Sequence, residues 1–283
     1  MNILVTGGNG QLGCSLKKIS SDYPSHNFLF TDMPEVDITD IDSLRSLVKR
    51  EDIGAIVNCA AFTAVDKAES CEDLAAKINA DGPKNLAVVA KEVGAKFIHI
   101  STDYVFNGKS SSPMKEDDKP EPIGAYGRTK RLGEANVEMV GGDAAVIRTA
   151  WLYSEFGNNF VKTMLRLGKE KESLNVIYDQ VGTPTYATDL AVAIMTLLDK
   201  GINGFELYHF SNEGVISWYD FTKAIFDLAG IQTPVYPIET FEYPTPAERP
   251  SFSVLNKRKI KSAGVPVPYW RDSLKKCLEI LLS

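Results

Sequence analysis

The 283-residue sequence has few cysteines, few histidines and no long apolar run. Its four cysteines are widely spaced without a C-x-x-C pair, which is typical of reduced thiols rather than of a disulfide framework. Three histidines without a His/Cys cluster make a zinc site unexpected. The best apolar run, residues 190–198, falls well short of the ~20 residues that a membrane span requires. These absences leave a small-molecule site as the place to look for function.

Positive charge is also scarce. Lysine and arginine total 31 against 37 aspartates and glutamates, so the net charge is −6, which argues against a nucleic-acid partner. The N-terminus has no leading positive charge and begins as a strand, so a signal peptide is not expected. We therefore expect a cytoplasmic location. The length predicts two domains and is sufficient for a buried core without disulfides or metals.

Strand and helix patterns alternate through the first half of the chain. Short apolar strands are predicted at residues 3–5, 28–30, 55–57, 97–100 and 145–147, with helical spacing between them. Nearly continuous apolar strands separated by helices predict an α/β fold, a Rossmann-type doubly wound parallel sheet. Ligands of such sheets bind at the carboxyl ends of the strands.

The pattern loosens after residue 150, where prolines cluster over residues 234–250. We therefore predict a Rossmann domain over residues 1–150, with part of residues 175–210 returning to it. A smaller, interleaved C-terminal domain over residues 151–283 is predicted to bind the substrate, with the proline-rich stretch closing over it.

A glycine-rich turn joins the first strand to the first helix. Gly7, Gly10 and Gly13 form Gly-x-x-Gly-x-x-Gly, in which the first two allow close backbone approach to a pyrophosphate and the third allows tight helix–strand packing. The following helix N-terminus offers free N–H groups. Asp32, about 20 residues further on, is expected to bind the adenosine ribose and favours NADH. The alternatives are an ordinary glycine turn and a solvated loop aspartate.

A second constellation suits acid–base chemistry. Tyr126 and Lys130 are four residues apart on one helix face, so the Lys130 ammonium is expected to lower the Tyr126 pKa toward neutrality. Thr102 ends the fourth strand, over the predicted cleft, where its hydroxyl could bond a substrate carbonyl and the phenol. Alone, the Tyr-x-x-x-Lys spacing would more often mark a solvated helix face.

Together these motifs resemble the extended short-chain dehydrogenase/reductase family. Segments at residues 58–69, 101–108, 148–153, 157–160 and 243–250 resemble its dTDP-4-dehydrorhamnose reductase subgroup and span nearly the whole chain. The resemblance implies reduction of dTDP-4-dehydro-L-rhamnose to dTDP-L-rhamnose with NADPH or NADH, for cell-surface polysaccharide.

The resemblance also implies roles for individual residues. Those implied to be catalytic are Thr102, Tyr126 and Lys130. Those implied to bind the cofactor are Gly7, Gly10, Gln11, Leu12, Gly13, Asp32, Asp37, Ile38, Ala61, Phe62, Thr63, Ile100, Tyr126 and Lys130. Those implied to bind the sugar nucleotide are Thr102, Asp103, Trp151 and Arg249. For Trp151 a plain core position is the alternative.

One departure from the family concerns metal and oligomer. Some members dimerise through glutamates that hold magnesium, but Ser15 and Thr188 stand at those positions here. Magnesium is therefore not expected, and the default is a monomer, with a dimer possible. The expected partner is a dTDP-sugar, without nucleic acid or membrane.

The sequence leaves three alternative functions open. A sugar-nucleotide epimerase or dehydratase could use the same cofactor site, although Thr102 is followed by Asp103-Tyr104 rather than the Asp-Glu pair frequent in dehydratases. A non-catalytic, dinucleotide-binding subunit like that of methionine adenosyltransferase is the third. The basic run at residues 257–261 is interpreted as a solvated face.

Overall fold

The computed structural model describes all 283 residues and contains twelve strands. The strands are β1 (Asn2–Thr6), β2 (Asn27–Thr31), β3 (Ile53–Asn58), β4 (Lys96–Thr102), β5 (Ala144–Thr149), β6 (Leu152–Tyr153), β7 (Leu174–Ile177), β8 (Val181–Gly182), β9 (Thr185–Tyr186), β10 (Phe205–His209), β11 (Ile216–Ser217) and β12 (Val235–Ile238). Six of them form one parallel sheet in the order β10-β5-β4-β3-β1-β2, which confirms the predicted fold class. The remaining strands pair two by two.

Eleven α-helices accompany the strands. They are α1 (Gln11–Ile19), α2 (Ile41–Arg50), α3 (Val65–Ala68), α4 (Glu72–Ala76), α5 (Gly82–Val93), α6 (Ala125–Val140), α7 (Phe160–Glu170), α8 (Ala187–Lys200), α9 (Trp218–Ala229), α10 (Arg258–Ser262) and α11 (Trp270–Leu282). A π-helical turn at Lys77–Asp81 lies between α4 and α5. The Asp40 side chain caps α2, and Gly94 ends α5 in the left-handed conformation.

Helices cover both faces of the large sheet. Successive side chains of each strand point to opposite faces, so neighbouring residues are buried in different cores. Ile3 and Val5 pack in a core with α1 and α8, whereas Leu4 packs in a second core with α2 and α5. A third core lies among α7, α9 and α11, with Phe221 and Leu274 fully buried. No helix is long and apolar enough to cross a membrane.

The carboxyl ends of the central strands define where the site lies. Thr6 is in register with Asn58, and Thr102 with Thr149, so that β1, β3, β4 and β5 end along one edge. A cavity of about 910 Å³ opens at this edge. It is lined on one side by the turn after β1 and on the other by the ends of β4 and β5.

Candidate active site

The glycine turn leaves no room for a side chain at Gly7 or at Gly13. Gly7 has φ +67°, and a Cβ there would lie 2.6 Å from the Ala60 backbone nitrogen. A Cβ on Gly13 would collide with the Gly7 carbonyl oxygen. Gly10 precedes α1 and offers no side-chain cap, which leaves N–H groups of the first helical turn free for a ligand. This cradle suits the pyrophosphate of a dinucleotide.

Two aspartates lie at the far end of the same side of the cavity. The Asp32 carboxylate accepts hydrogen bonds from the Asn9 and Met33 backbone N–H groups, both at 2.9 Å, which orients it beside the turn. Asp37 accepts from the backbone and hydroxyl of Thr39, both at 2.8 Å, and these bonds lower its pKa. Both carboxylates line the cavity.

On the opposite side, Thr102 and Asp103 form a buried polar pair. The Thr102 hydroxyl donates to Asp103 Oδ1 at 3.0 Å and accepts from the Tyr104 N–H at 3.2 Å. Burial raises the pKa of Asp103 to about 6, and the hydrogen bond from Thr102 opposes that rise. The Tyr104 ring meets the Tyr126 ring edge-on, at 5.5 Å between centroids.

The expectation that Lys130 lowers the Tyr126 pKa is wrong. Burial raises the pKa of Tyr126 to about 12, and the nearby Thr102 hydroxyl only partly opposes this. The Lys130 amine is directed into the sheet, where it donates to the Ile100 carbonyl at 2.7 Å. Burial also lowers the Lys130 pKa to about 8, which weakens any stabilisation of a phenolate.

Most of the predicted site residues line this one cavity. The cofactor positions among them are Gly7, Gly10, Gln11, Leu12, Asp32, Asp37, Ile38, Ala61, Thr63, Ile100, Tyr126 and Lys130. The catalytic and substrate positions among them are Thr102, Asp103, Tyr126, Lys130 and Trp151. The structure thus brings the two constellations into a single site, although their residues come from separate parts of the chain.

Three predicted residues lie outside the lining. Gly13 packs beneath the turn, and the Phe62 side chain packs in a small alanine-rich cluster with Tyr126. The Arg249 guanidinium pairs with Asp66, at 2.8 Å between Nη2 and Oδ2. The ligand contacts assigned to these three residues therefore stay predictions.

Trp151 combines a position in the cavity wall with packing in the core, and its contact with the sugar nucleotide stays a prediction. It lines the cavity, yet its ring also stacks on Trp218 with 3.5 Å between centroids, in an aromatic group that includes Phe160. Its φ of +48° is unusual for a bulky residue. A Cβ on Gly182 would come within 2.8 Å of the indole ring, so this glycine makes space for it.

Sequence reasoning missed several features around the cavity. Lys77 and Ile78, in the π-helical turn, line its cofactor side, and no residue pattern signals that turn. The Gln11 side-chain oxygen accepts from Ser154 at 3.1 Å and from Asn159 at 3.0 Å, which joins α1 to the second half of the chain. Long-range contacts of this kind leave no local signal.

The basic run at residues 257–261 is a solvated face except at its first residue. Arg258, Lys259 and Lys261 are exposed as expected, whereas Lys257 is only 8% exposed, its amine lies 3.3 Å from the Asn212 carbonyl, and burial lowers its pKa. The proline-rich stretch at residues 234–250 contributes no residue to the cavity lining. Its first part pairs as β12 with β7 instead, because strand pairing satisfies its backbone groups.

At the two positions where some members of the family hold magnesium with glutamates, this chain has only hydroxyl side chains. Ser15 is buried and its hydroxyl donates to the Gln11 carbonyl at 2.8 Å, and Thr188 likewise offers only a hydroxyl. No group of three or more histidine, cysteine, aspartate or glutamate side chains is placed to hold a metal ion. The glycine cradle, the free helix N-terminus and Asp32 together fit a nicotinamide dinucleotide.

The parallel sheet, the glycine turn and the Thr102, Tyr126 and Lys130 side chains at one cavity define an extended short-chain dehydrogenase/reductase. The profile of the family described as RmlD substrate binding domain matches residues 1–283. The chain therefore belongs to the RmlD family.

Individual relatives are similar over their full length. The Bacillus subtilis spore coat polysaccharide biosynthesis protein SpsK is 40% identical, over 98% of this chain and 96% of the relative. The structure of a Clostridium acetobutylicum dTDP-4-dehydrorhamnose reductase is 43% identical with TM-score 0.95 and covers 100% of both chains. The structure of a Bacillus anthracis dTDP-4-dehydrorhamnose reductase in complex with NADP is 39% identical with TM-score 0.93 and covers 99% of both chains.

Proposed function

We propose that this protein reduces the 4-keto group of dTDP-4-dehydro-L-rhamnose, with NAD(P)H, to give dTDP-L-rhamnose. The observation that carries the proposal is that the glycine cradle and the Thr102, Tyr126 and Lys130 side chains meet in one cavity. Relatives with the dTDP-4-dehydrorhamnose reductase name match across the full chain. Because the product is an activated sugar, it would serve polysaccharide synthesis.

Tyr126 is the proposed proton donor. When bound, NAD(P)H supplies the hydride that reduces the ketone carbon. The ketone oxygen then becomes an alkoxide and needs one proton to give the alcohol. Since burial raises the Tyr126 pKa to about 12, the phenol is protonated at neutral pH and holds that proton in place. A donor positioned in this way contributes roughly 10²–10⁴-fold to the rate.

The other polar residues position the reactants. The Thr102 hydroxyl lies at the end of β4 beside Tyr126 and would hold the ketone oxygen near the phenol. Lys130 would bind the nicotinamide ribose. Asp103 and Trp151 would contact the sugar nucleotide from the cavity wall, with Arg249 a weaker candidate. Binding of the remote nucleotide helps to orient the reacting sugar.

The proposal also covers the cofactor, the domain bounds, the cellular location and the oligomeric state. Both NADPH and NADH are proposed to serve, because Asp32 repels a 2′-phosphate while a relative binds NADP. We propose a cofactor domain over residues 1–150, with part of 175–210, and a substrate domain over residues 151–283. A cytoplasmic monomer is the proposed state.

The test follows nicotinamide absorbance while the protein is mixed with NADPH and dTDP-4-dehydro-L-rhamnose. We expect stoichiometric NADPH oxidation and formation of dTDP-L-rhamnose, identified by NMR. The matched control is Tyr126→Phe, which keeps the ring and removes the proton. Tight cofactor binding without oxidation would overturn the proposal in favour of a regulatory subunit. Conversion of the sugar without net NADPH consumption would favour an epimerase.

A further inference from the structure

The Lys130 amine ends a buried chain of hydrogen-bonding side chains that runs through three strands. Lys130 Nζ lies 3.4 Å from His99 Nε2, and His99 Nδ1 lies 3.0 Å from Asn58 Nδ2. Asn58 Oδ1 accepts from the Thr6 hydroxyl at 2.7 Å. All four side chains are at most 1% exposed, and buried polar groups of this kind are expected to be hydrogen-bonded within the protein.

The orientation of the Asn58 amide is determined by the backbone. The Ala60 N–H donates to Asn58 Oδ1 at 3.1 Å. A backbone N–H can only donate, so the atom facing it must be the amide oxygen rather than the NH₂ group. The NH₂ group of Asn58 therefore faces His99 and donates to Nδ1.

This arrangement selects one tautomer of His99. Burial lowers the His99 pKa well below its ordinary value, so the ring is neutral and carries a single N–H. Because Nδ1 is occupied as an acceptor, the proton is on Nε2, which faces Lys130. An ammonium group has no acceptor site for this N–H, whereas an uncharged amine has one lone pair.

We propose that Asn58 and His99 act as a pair of positioning residues that present a fixed Nε2–H donor to Lys130 and so favour its uncharged amine. In this state the amine accepts from His99 through its lone pair and donates to the Ile100 carbonyl at 2.7 Å. Its remaining N–H is left for a ligand in the cavity that Lys130 lines. The inference concerns the same site and rests on the proposed function for its catalytic meaning.

The other ionisable groups near Lys130 do not cancel this effect. Glu134, on α6, favours the charged amine, but its carboxylate is held by Arg148 with two bonds of 2.8 Å. Cys59, after β3, would favour the charged amine only as a thiolate, and burial raises its pKa. Tyr126, on α6, is protonated at neutral pH because its own pKa is raised.

The first test reads the tautomer directly. Nitrogen NMR of histidine-labelled protein distinguishes Nδ1–H from Nε2–H, and only three histidines require assignment, through His26→Gln and His209→Gln variants. We expect His99 in the wild type to carry its proton on Nε2. A wild-type signal with the proton on Nδ1 would overturn the proposal without any need for a variant.

The second test reverses the tautomer with Asn58→Asp. A carboxylate still accepts from Ala60 and Thr6 but also accepts an Nδ1–H, which leaves Nε2 as an acceptor for an ammonium. We expect His99 to move to the Nδ1–H form and the titration midpoint of Lys130 to rise by about one pH unit or more, a tenfold change. NMR of labelled lysine side chains reads this midpoint, and Lys130→Met assigns the resonance.

Thr6→Val is the matched control, since it removes one bond to Asn58 while it keeps the Ala60 bond that orients the amide. We expect the wild-type tautomer and the wild-type Lys130 midpoint in this variant. A reversed tautomer in Asn58→Asp with an unchanged midpoint would overturn the proposal, and so would a raised midpoint without the reversal, because the charge of the new carboxylate alone would then account for it. The pH profile of kcat/KM should move with the midpoint, but both NMR readouts stand even if the proposed reaction is not observed.

Discussion

The two sides of the cavity bind through different chemistry. On the cofactor side, glycines and free N–H groups at the start of α1 form the surface, and a Cβ at Gly7 or Gly13 has no room. On the opposite side, Asp103, Tyr126 and Lys130 are ionisable groups whose pKa values burial has moved. One side thus recognises a ligand by shape, and the other prepares groups for chemistry by excluding water.

The difference explains which side the sequence predicts well. The steric demand of a tight turn is local, because it depends on residues within a few positions of each glycine. A pKa depends on every element that covers the group, including elements remote in sequence. Tyr-x-x-x-Lys spacing therefore predicted the location of Tyr126 but not the direction of its pKa shift.

The largest expected effect comes from Tyr126→Phe, on the side of the cavity that carries Asp103, Tyr126 and Lys130. It removes only the proton donor, so we expect kcat to fall by roughly 10²–10⁴-fold. The dissociation constant for NADPH, measured by fluorescence titration, should stay within about twofold, because the cofactor cradle lies on the other side. Unchanged turnover would show that another group delivers the proton.

In the glycine turn, Gly13→Ala should weaken cofactor binding. The added Cβ collides with the Gly7 carbonyl, and the turn must shift to relieve a strain of about 1–3 kcal/mol. We expect NADPH affinity to fall by about 10- to 100-fold. Isothermal titration measures this, and kcat at saturating NADPH should change much less.

Gly94→Ala is the control for that substitution. Unlike Gly13, Gly94 has a positive φ, +69°, but no atom lies within 4 Å of a Cβ there. The variant should lose about 1 kcal/mol of unfolding free energy through backbone strain, with cofactor affinity unchanged. Equal losses of affinity in both variants would mean that the glycine turn is not a dinucleotide cradle.

Asp103→Asn tests how much unfolding free energy the protein loses by burying the Asp103 carboxylate. Because the pKa of Asp103 rises from 3.8 to about 6 on folding, the folded state holds its proton more tightly than the unfolded state. Wild-type stability is therefore unaffected by Asp103 below pH 3.8 and is reduced as pH rises through 6. The asparagine variant avoids this loss, which is roughly 3 kcal/mol at neutral pH.

Urea unfolding of both proteins across this pH range is the measurement. The difference in unfolding free energy, variant minus wild type, should grow by about 2–3 kcal/mol between pH 4 and pH 7. A difference that is constant with pH would show that Asp103 is not a costly buried carboxylate. That result would remove one of the three groups on which the contrast between the two sides depends.

The contrast between features set by adjacent residues and features set by distant elements also applies to the fold. The apolar strands, the Asp40 cap and the Gly94 helix end were predictable because each is encoded by adjacent residues. The stretch that contains β10 was expected to return to the Rossmann domain, but neither β10 as a strand nor the π-helical turn at Lys77–Asp81 was predicted, since both depend on packing against distant elements. Burial of Lys257 escaped prediction for the same reason, because a basic run ordinarily marks a solvated face.

Arg249→Met has the smallest expected effect, because the side chain lies outside both sides of the cavity. Its guanidinium is bonded to Asp66 and to the Ala247 carbonyl, at 2.8 and 3.1 Å, so binding the sugar-nucleotide pyrophosphate would require it to leave these partners. Asp66 is 44% exposed, and solvent screening limits the pair to about 0.5 kcal/mol of unfolding free energy. We expect KM for the sugar nucleotide to change by less than about threefold.

Asp66→Asn separates a structural role of Arg249 from a binding role. The substitution weakens the ion pair but leaves the guanidinium in place. If the pair is only structural, both variants should show the same small loss of stability and nearly unchanged KM. If Arg249 binds pyrophosphate, Arg249→Met should raise KM by about tenfold or more, while Asp66→Asn should lower it by releasing the arginine. That second pattern would assign Arg249 to the part of the site that binds the sugar nucleotide, beside Thr102 and Asp103.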